Sequence, residues 1–270
     1  MSDPVLVIMA KQPAVGRTKT RLSPPLTPAE AAVLYEAMLR DTIQLEARLE
    51  GVRLAIAVTP PEAVGTFRRI GPPGVILLPV AGVDIGDCLS QVLGRLLAAG
   101  HPRAIALNSD GPTLPESRLR QAFAWLDADN ADAGRRRSGS GRMTDIRGQH
   151  PSADVVLGPS KDGGYYLIGL KQACPELFRD IEWSSERVTA QTLARAQAMG
   201  LSVALLPPWY DVDTSADLAR LQGELATLPA TALPHTRRFF ARRGESCPDH
   251  SAPGPRASPL AGHADQSRST

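Results

Sequence analysis

The chain has 270 residues, of which 43% are hydrophobic and 4% aromatic, and its formal net charge is +2. A near-neutral chain with few aromatic side chains lacks the positive charge and the base-stacking surface that are typical of nucleic-acid binding. The three cysteines lie far apart and form no Cys-x-x-Cys pair, which indicates reduced thiols. With no run of about 20 apolar residues and no basic leader, we expect a cytoplasmic protein with neither nucleic acid nor a stable membrane association among its partners.

Seven short apolar runs predict β-strands, and most are continuously apolar, which is typical of strands buried on both faces. They cover residues 5–10, 52–58, 75–80, 103–109, 153–158, 165–170 and 201–206. A capping box from Thr27 to Glu30 begins the first helix, and helical patterns at 61–70, 86–99, 116–128, 186–199 and 214–227 follow. The alternation predicts an α/β fold with a mostly parallel sheet flanked by helices on both faces. No helix fits between the fifth and sixth runs, so some antiparallel pairing is expected.

The composition predicts one domain over residues 1–228. Within it, residues 131–152 are polar, rich in Gly, Ser and Arg, and without periodicity, which indicates a flexible insertion. Residues 229–270 become rich in Pro, Ser, Arg and His and predict a largely disordered tail. The basic stretch 235–244 within that tail is interpreted as a frayed end rather than as an amphipathic patch.

A cationic loop follows the first strand, where Lys11, Arg17, Lys19 and Arg21 surround Gly16. Cations this close repel one another unless an anion lies among them. Lysine and arginine bind phosphate oxygens, and a glycine lets the backbone approach a ligand closely. The spacing is neither that of a Walker A loop nor G-x-G-x-x-G, so the residues favour a phosphate site of another kind over a merely solvated basic loop.

Carboxylates follow other strands at the edge where ligands bind in open α/β sheets. Asp110 ends the fourth strand in the stretch NSDGP, where it could either hold Mg²⁺ against a diphosphate or simply form an Asp-Gly turn. Asp211 and Asp213 precede the last predicted helix, whose cap is Thr214. Capping accounts for Thr214 but not for Asp213, which is therefore a candidate second metal ligand.

A glycine-rich loop at 158–164 places Asp162 beside Gly163 and Gly164. An Asp-Gly pair is also a common hairpin turn. Asp162 could accept a hydrogen bond from a sugar hydroxyl or deprotonate an acceptor. Trp183 and Glu186 could face the same acceptor, although packing and capping are the more ordinary roles of these residue types.

Four motifs in this order carry a resemblance to a known family. They are K-x-P-x-x-G-R-x-K-T-R-L, N-S-D-G-P, G-P-x-x-D-G-G-Y-Y-L-I-G-L and D-V-D-T-x-x-D-L. Over residues 4–225, apart from 131–152, the chain resembles the DUF2064 family. Members of that family are often labelled GT-A-type glycosyltransferases, including an arsenosugar-biosynthesis group. The family is similar to 2-phospholactate guanylyltransferases and to the nucleotide-diphospho-sugar transferase superfamily.

The resemblance implies one GT-A-like domain and a set of site residues. The first loop, with Lys11, Gly16, Arg17, Lys19 and Arg21, would bind the base and phosphates of a nucleotide. A divalent metal, Mg²⁺ or Mn²⁺, would lie on Asp110, with Asp213 as the second ligand because a full D-x-D is missing at Asp110. The implied acceptor or sugar pocket and the implied catalytic groups complete the set: Asp162, Gly163, Gly164, Trp183 and Glu186 for the pocket, and Asp110, Asp162 and Lys19 for catalysis.

Three functions are compatible with these residues. The leading prediction, which the family labels favour, is a metal-dependent glycosyltransferase that moves a sugar from a nucleotide sugar to a small acceptor. The K-T-R-L loop favours a nucleotidyltransferase that joins an NTP to a small phosphorylated acceptor, with pyrophosphate rather than a nucleoside diphosphate as the by-product. The third is a non-catalytic nucleotide-binding module, which is less favoured because both Asp110 and the basic loop are present.

The tail gives a first testable expectation. Deleting residues 245–270 should leave the melting temperature unchanged, because a polar, proline-rich segment buries little apolar surface. The measurement is a thermal melt of the truncated and full chains at equal concentration. A clear fall in the melting temperature would show that the tail packs on the domain.

Overall fold

The structure is a computed structural model, and it describes residues 2–127 and 152–245. Strands and helices alternate along these residues. The strands are β1 (Val5–Lys11), β2 (Arg53–Thr59), β3 (Ile76–Pro79), β4 (Ala104–Asn108), β5 (Val155–Pro159), β6 (Tyr165–Leu170) and β7 (Val203–Leu205). The helices are α1 (Pro28–Glu46), α2 (Val64–Ile70), α3 (Ile85–Ala98), α4 (Glu116–Asp127), α5 (Val188–Ala198), α6 (Ser215–Thr227) and α7 (Pro234–Glu245).

The described strands form one sheet in the order β3-β2-β1-β4-β6-β5-β7. β1 lies at the centre of the parallel part, with β2 and β4 as parallel neighbours. β6 is antiparallel to both β4 and β5, and β7 is parallel to β5. The predicted α/β class and the expected antiparallel pairing around β6 are therefore confirmed.

Both faces of the sheet are covered, as the continuously apolar strands predict. In β1, Val5 and Val7 pack with α3 on one face, whereas Ile8 packs with α1 and α6 on the other. Successive residues of a strand point to opposite faces, so a strand between two helical layers must be apolar throughout. The consequence is that polar groups of β1 and β4 concentrate at their carboxyl ends, where the helical layers leave the sheet edge open.

The predicted insertion at 131–152 lies outside the described residues, apart from Ser152. The last residues of the predicted tail, 246–270, also lie outside them. For residues 234–245 the prediction is wrong, because these residues form α7, which packs against α1. Phe239 is buried among the side chains of that helical layer.

The physical reason is a buried carboxylate on α1. Asp41 is 2% exposed, and its two oxygens accept the backbone N–H groups of His235 (3.0 Å) and Thr236 (2.7 Å). The first N–H groups of a helix have no partner within the helix, and a carboxylate there also interacts favourably with the helix dipole. The contact spans almost 200 residues of sequence, so the composition of the tail alone does not reveal it.

In the part of the chain that the structure describes, no helix combines the length and the apolar character that crossing a membrane requires.

The Asp41 contact predicts a stability change. Asp41→Ala removes the acceptor of both N–H groups and should lower the free energy of unfolding by about 3–6 kcal/mol, at about 1.5–3 kcal/mol for each hydrogen bond to a charged group. Chemical denaturation measures the change, with Glu50→Ala at an exposed position as the control. A loss no larger than that of the control would mean that α7 does not depend on this cap.

Candidate active site

The loop after β1 has a fixed shape that its own residues impose. Gly16 adopts a left-handed conformation (φ +72°), which closes a turn in which the N–H groups of Arg17 and Thr18 reach the carbonyl of Ala14. The buried Thr18 hydroxyl accepts the Ala14 N–H at 2.8 Å. This turn presents the cationic side chains at the open edge of the sheet. The short 3-10 helix Thr20–Leu22 then anchors the loop through Leu22, which is fully buried.

Lys19 is the centre of the site. It also has a left-handed backbone (φ +51°), and its side chain is only 5% exposed. Its Nζ lies 2.5 Å from Asp110 Oδ2 and 2.6 Å from Asp213 Oδ1. Arg21 Nη2 lies 2.6 Å from the other oxygen of Asp213. Three loops that are distant in sequence therefore meet in one ion-pair cluster.

The charge of Lys19 is fixed by these neighbours. Burial by itself lowers the pKa of an ammonium group, but the attraction of Asp110 and Asp213 and their hydrogen bonds outweigh it and raise the pKa of Lys19. Lys19 thus stays protonated over the physiological range and holds the two carboxylates together.

Asp211 lies beside this cluster, and its carboxyl group is shielded from solvent. Its Oδ2 accepts hydrogen bonds from Asn108 Nδ2 (3.2 Å) and Ser160 Oγ (3.4 Å), whereas its buried Oδ1 has no partner. Burial, with a further contribution from the negative charge of Asp110, raises the pKa of Asp211 to about 8. A buried carboxyl oxygen without a partner is uncommon, because most buried polar atoms have at least one hydrogen-bond partner.

Tyr35 of α1 joins the two central strand ends. Its buried hydroxyl accepts the N–H of Lys11 (3.0 Å) and shares a hydrogen bond with Ser109 Oγ (2.9 Å). One side chain thus fixes the start of the cationic loop against the residue that precedes Asp110. Burial raises the pKa of Tyr35 to about 12, so the hydroxyl remains neutral.

Two cavities adjoin one another at this edge. One, of about 370 Å³ and here called the cationic cavity, is lined by Lys11, Arg17, Lys19 and Arg21 together with Asp110 and Asp213. The other, of about 470 Å³ and here called the acidic cavity, is lined by Asp162, Glu186, Asp211 and Trp183 among others. Met9, Arg21, Ile85 and Asn108 line both cavities. A ligand that spans both would lie across the carboxyl ends of β1 and β4.

The carboxylates at this edge of the sheet offer oxygen ligands for a divalent metal. Within residues 2–127 and 152–245, no group of three or more His, Cys, Asp or Glu side chains is arranged to hold a metal ion. Asp110 and Asp213 nevertheless face one point, at which each accepts a hydrogen bond from Lys19 Nζ. Mg²⁺ typically takes one or two carboxylates and completes its shell with phosphate oxygens and water, so this donor set fits a metal that arrives with a nucleotide.

Most residues selected from the sequence converge on the two cavities. Lys11, Arg17, Lys19 and Arg21 line the cationic cavity with Asp110 and Asp213. Asp162, Gly164, Trp183 and Glu186 line the acidic cavity. Gly16 and Gly163 shape loops instead: a Cβ on Gly163, which has φ +90°, would lie 2.1 Å from the Glu186 carbonyl oxygen. The catalytic and binding roles assigned from the sequence stay predictions.

Several site residues were not selected from the sequence. Asn108 and Ser109 stand inside the NSDGP motif, so their position at a strand end was a usable signal. Tyr35 lies on the apolar face of α1, where an aromatic residue usually indicates packing alone. Asp211 was set aside in favour of Asp213, and only its burial next to Asn108 distinguishes it.

Comparison with known proteins identifies the family. The model of the DUF2064 family, described as an uncharacterized protein conserved in bacteria, matches residues 42–185, which is just over half of the chain. The chain belongs to this family. The resemblance inferred from the four motifs is thereby confirmed.

Particular relatives give the class of chemistry. The phosphoenolpyruvate guanylyltransferase of Mycobacterium marinum (strain ATCC BAA-535 / M) is 24% identical over 207 residues, covering 75% of this chain and 94% of the relative. A crystal structure assigned as a nucleotide-diphospho-sugar transferase of Desulfovibrio desulfuricans G20 has a TM-score of 0.73 and 27% identity, covering 91% of this chain and 98% of that one. A 4-diphosphocytidyl-2C-methyl-D-erythritol synthase shares the fold alone, with a TM-score of 0.50, 12% identity and coverage of 83% and 99%.

These relatives are all named transferases or synthases of nucleotide chemistry. The chain is therefore a transferase of the nucleotidyltransferase and nucleotide-sugar transferase superfamily, with the predicted GT-A-like α/β fold. These names include both nucleotidyl transfer and transfer from nucleotide sugars.

Asp211 predicts a pH-dependent stability. The folded state retains the Asp211 proton up to a pKa of about 8, whereas an unfolded aspartate releases it near its ordinary pKa of about 3.9. The unfolded state thus binds fewer protons between these values, and stability falls as pH rises through this window. Asp211→Asn removes this loss, so the melting temperature of the variant minus that of the parent chain should grow from pH 5 to pH 8.

The comparison is made in the presence of a chelator, so that adventitious metal does not neutralise the carboxylates. Burial also raises the pKa of Glu46 to about 8, but that contribution is common to both proteins and cancels in the difference. Asp162→Asn, at an exposed carboxylate of the same cavity, is the matched control. A difference that is equal at pH 5 and pH 8 would show that Asp211 is ionised in the fold.

Proposed function

We propose that the protein is a nucleotidyltransferase that joins the nucleotidyl group of an NTP to a small acceptor and releases pyrophosphate. The observation that carries the proposal is the cationic cavity, where four cations face two carboxylates at the ends of β1 and β4. A triphosphate brings more negative charge than the diphosphate of a nucleotide sugar, and a departing pyrophosphate needs fixed positive charge around it. The guanylyltransferase relative, matched over 94% of its length, supports the same choice.

In this proposal the loop after β1 binds the triphosphate. Lys11, whose Nζ donates to the carbonyl of Arg17, and Arg17 itself are exposed at the outer part of the cavity and would hold the β- and γ-phosphates. Lys19, buried and permanently charged, lies deeper and would face the α-phosphate. Because these groups are placed before the ligand arrives, they stabilise developing charge without reorganisation.

Asp110 and Asp213 would hold Mg²⁺ or Mn²⁺ together with phosphate oxygens and water. When bound, such a metal polarises the phosphoryl oxygens and neutralises charge on the leaving pyrophosphate. In the absence of the nucleotide, Lys19 keeps the two carboxylates in position and offsets their mutual repulsion.

The acceptor would enter through the acidic cavity. Its nucleophilic oxygen or nitrogen forms a bond to the α-phosphorus, while the bond from that phosphorus to the bridging oxygen breaks and pyrophosphate leaves. The proton of the nucleophile passes to Asp162, which lines the cavity, and from there to water. Asp162 is held in place because its Oδ1 accepts the Gly164 N–H at 3.1 Å.

Water can replace the acceptor in a slow reaction, which allows a test without knowledge of the acceptor. The protein is incubated with metal and separately with each common NTP and nucleotide sugar, and the products are separated by chromatography. Nucleotidyl transfer to water yields a nucleoside monophosphate and pyrophosphate from one NTP. A nucleoside diphosphate and free sugar from a nucleotide sugar would overturn the proposal in favour of glycosyl transfer.

Asp110→Asn should abolish metal-dependent pyrophosphate release, a loss of at least about 100-fold. The substitution removes a carboxylate that would hold the metal, and the metal neutralises charge on the phosphates. Circular dichroism and a thermal melt check that the variant still folds. Asp3→Asn, an exposed carboxylate at the opposite edge of the sheet, is the control and should retain full activity. A folded, active Asp110→Asn protein would remove Asp110 from the mechanism.

A further inference from the structure

The acidic cavity differs in charge from its neighbour. Its lining holds two carboxylates, Asp162 and Glu186, the buried and protonated carboxyl group of Asp211, and one cation, Arg21. Arg21 is already engaged in an ion pair with Asp213. The cationic cavity holds four cations and two carboxylates. Two cavities of opposite net charge thus share one edge of the sheet.

The acidic cavity also has an aromatic wall. The rings of Tyr165 and Trp183 meet edge to face, with centroids 6.3 Å apart and planes at 81°. Trp183 is seated directly on Gly86 in the first turn of α3, where a Cβ would lie 2.2 Å from the indole ring. The wall therefore has a defined position and can cover the apolar face of a small ligand.

The carboxylate-bearing loops are locked to one another. The N–H of Thr189 donates to the Gly163 carbonyl (2.9 Å), and the Thr189 hydroxyl donates to the Gly164 carbonyl (2.5 Å). The backbone of Glu186 contacts Gly163 so closely that no side chain fits there. Glu186 and Asp162 are thus held on one wall of the cavity by the backbone, and among the residues that the structure describes neither of them forms an ion pair.

From this we infer that the acceptor carries no net negative charge and presents hydroxyl or amino groups to Asp162 and Glu186. This inference rests on the proposed function and adds the substrate class. Carboxylates are hydrogen-bond acceptors only, so they favour a ligand that brings donors, and they repel an added phosphate or carboxylate. The acceptor would therefore differ in class from the phosphoenolpyruvate after which the Mycobacterium marinum relative is named.

The local charge can be measured without knowing the acceptor. Ser184→Cys and Thr20→Cys each replace an exposed hydroxyl side chain, the first lining the acidic cavity and the second the cationic cavity. The background carries Cys174→Ser and Cys247→Ser, and Cys88 is buried. Each thiolate is reacted with 2-(trimethylammonio)ethyl methanethiosulfonate and with 2-sulfonatoethyl methanethiosulfonate, which form a mixed disulfide and release methanesulfinate.

The ratio of the cationic to the anionic rate, divided by the same ratio for a free thiol, reports the local potential. Differences in thiol pKa cancel because both reagents meet the same thiolate. We expect the ratio at position 184 to exceed that at position 20 by at least about tenfold, since charged clefts focus potential to this extent. Adding Glu186→Gln should lower the ratio at 184 and leave the ratio at 20 unchanged. Equal ratios, or a larger one at position 20, would overturn the inference.

A turnover assay tests the acceptor class itself. Pyrophosphate release from the preferred NTP is measured with phosphoenolpyruvate and with 3-phosphoglycerate, each against water alone. Neither anion should accelerate release beyond twofold. Acceleration of about tenfold or more by either would overturn the inference while leaving the proposed function intact, whereas hydrolysis of a nucleotide sugar alone would overturn the proposed function and leave the charge measurement valid.

Discussion

The site depends on one buried ammonium group. Lys19 Nζ lies within 2.6 Å of both Asp110 and Asp213, and without it two carboxylates would face each other across a poorly hydrated point. Breaking a buried ion pair by removing one partner leaves a charge without compensation, which strongly destabilises the arrangement. Ion pairs, as well as packing, therefore connect the ends of β1 and β4 with the segment before α6.

That coupling gives the site its preorganisation. The Tyr35 hydroxyl ties β1 to β4 through Lys11 and Ser109, and the N–H of Val212 donates to the carbonyl of Asp110 at 2.9 Å. The charged groups are thus fixed by neutral hydrogen bonds that do not compete for the ligand. A ligand that brings phosphate oxygens meets cations already in place, which is the arrangement that stabilises a departing pyrophosphate.

The two cavities of the site differ in the charge of the side chains that line them. The loop after β1 carries the positive charge. This loop extends beyond the helical layers, and Gly16 sets its turn. Negative charge gathers on the loops around β6, whose antiparallel direction brings a glycine-rich loop to the same edge. Donor and acceptor would then meet at Arg21 and Asn108, which line both cavities.

The sequence by itself determined the α/β class, the strands and most helices, because continuous apolar runs and capping boxes are local signals. It also selected Asp110 and the basic loop as candidates, since ligands of open α/β sheets bind at the carboxyl ends of the strands. The tertiary structure alone decided that Lys19 binds both Asp110 and Asp213, that Asp211 is buried with a free oxygen, and that Asp41 holds α7. Each of these depends on contacts between residues some 50 to 200 positions apart, and their burial arises only when the helical layers close over the sheet.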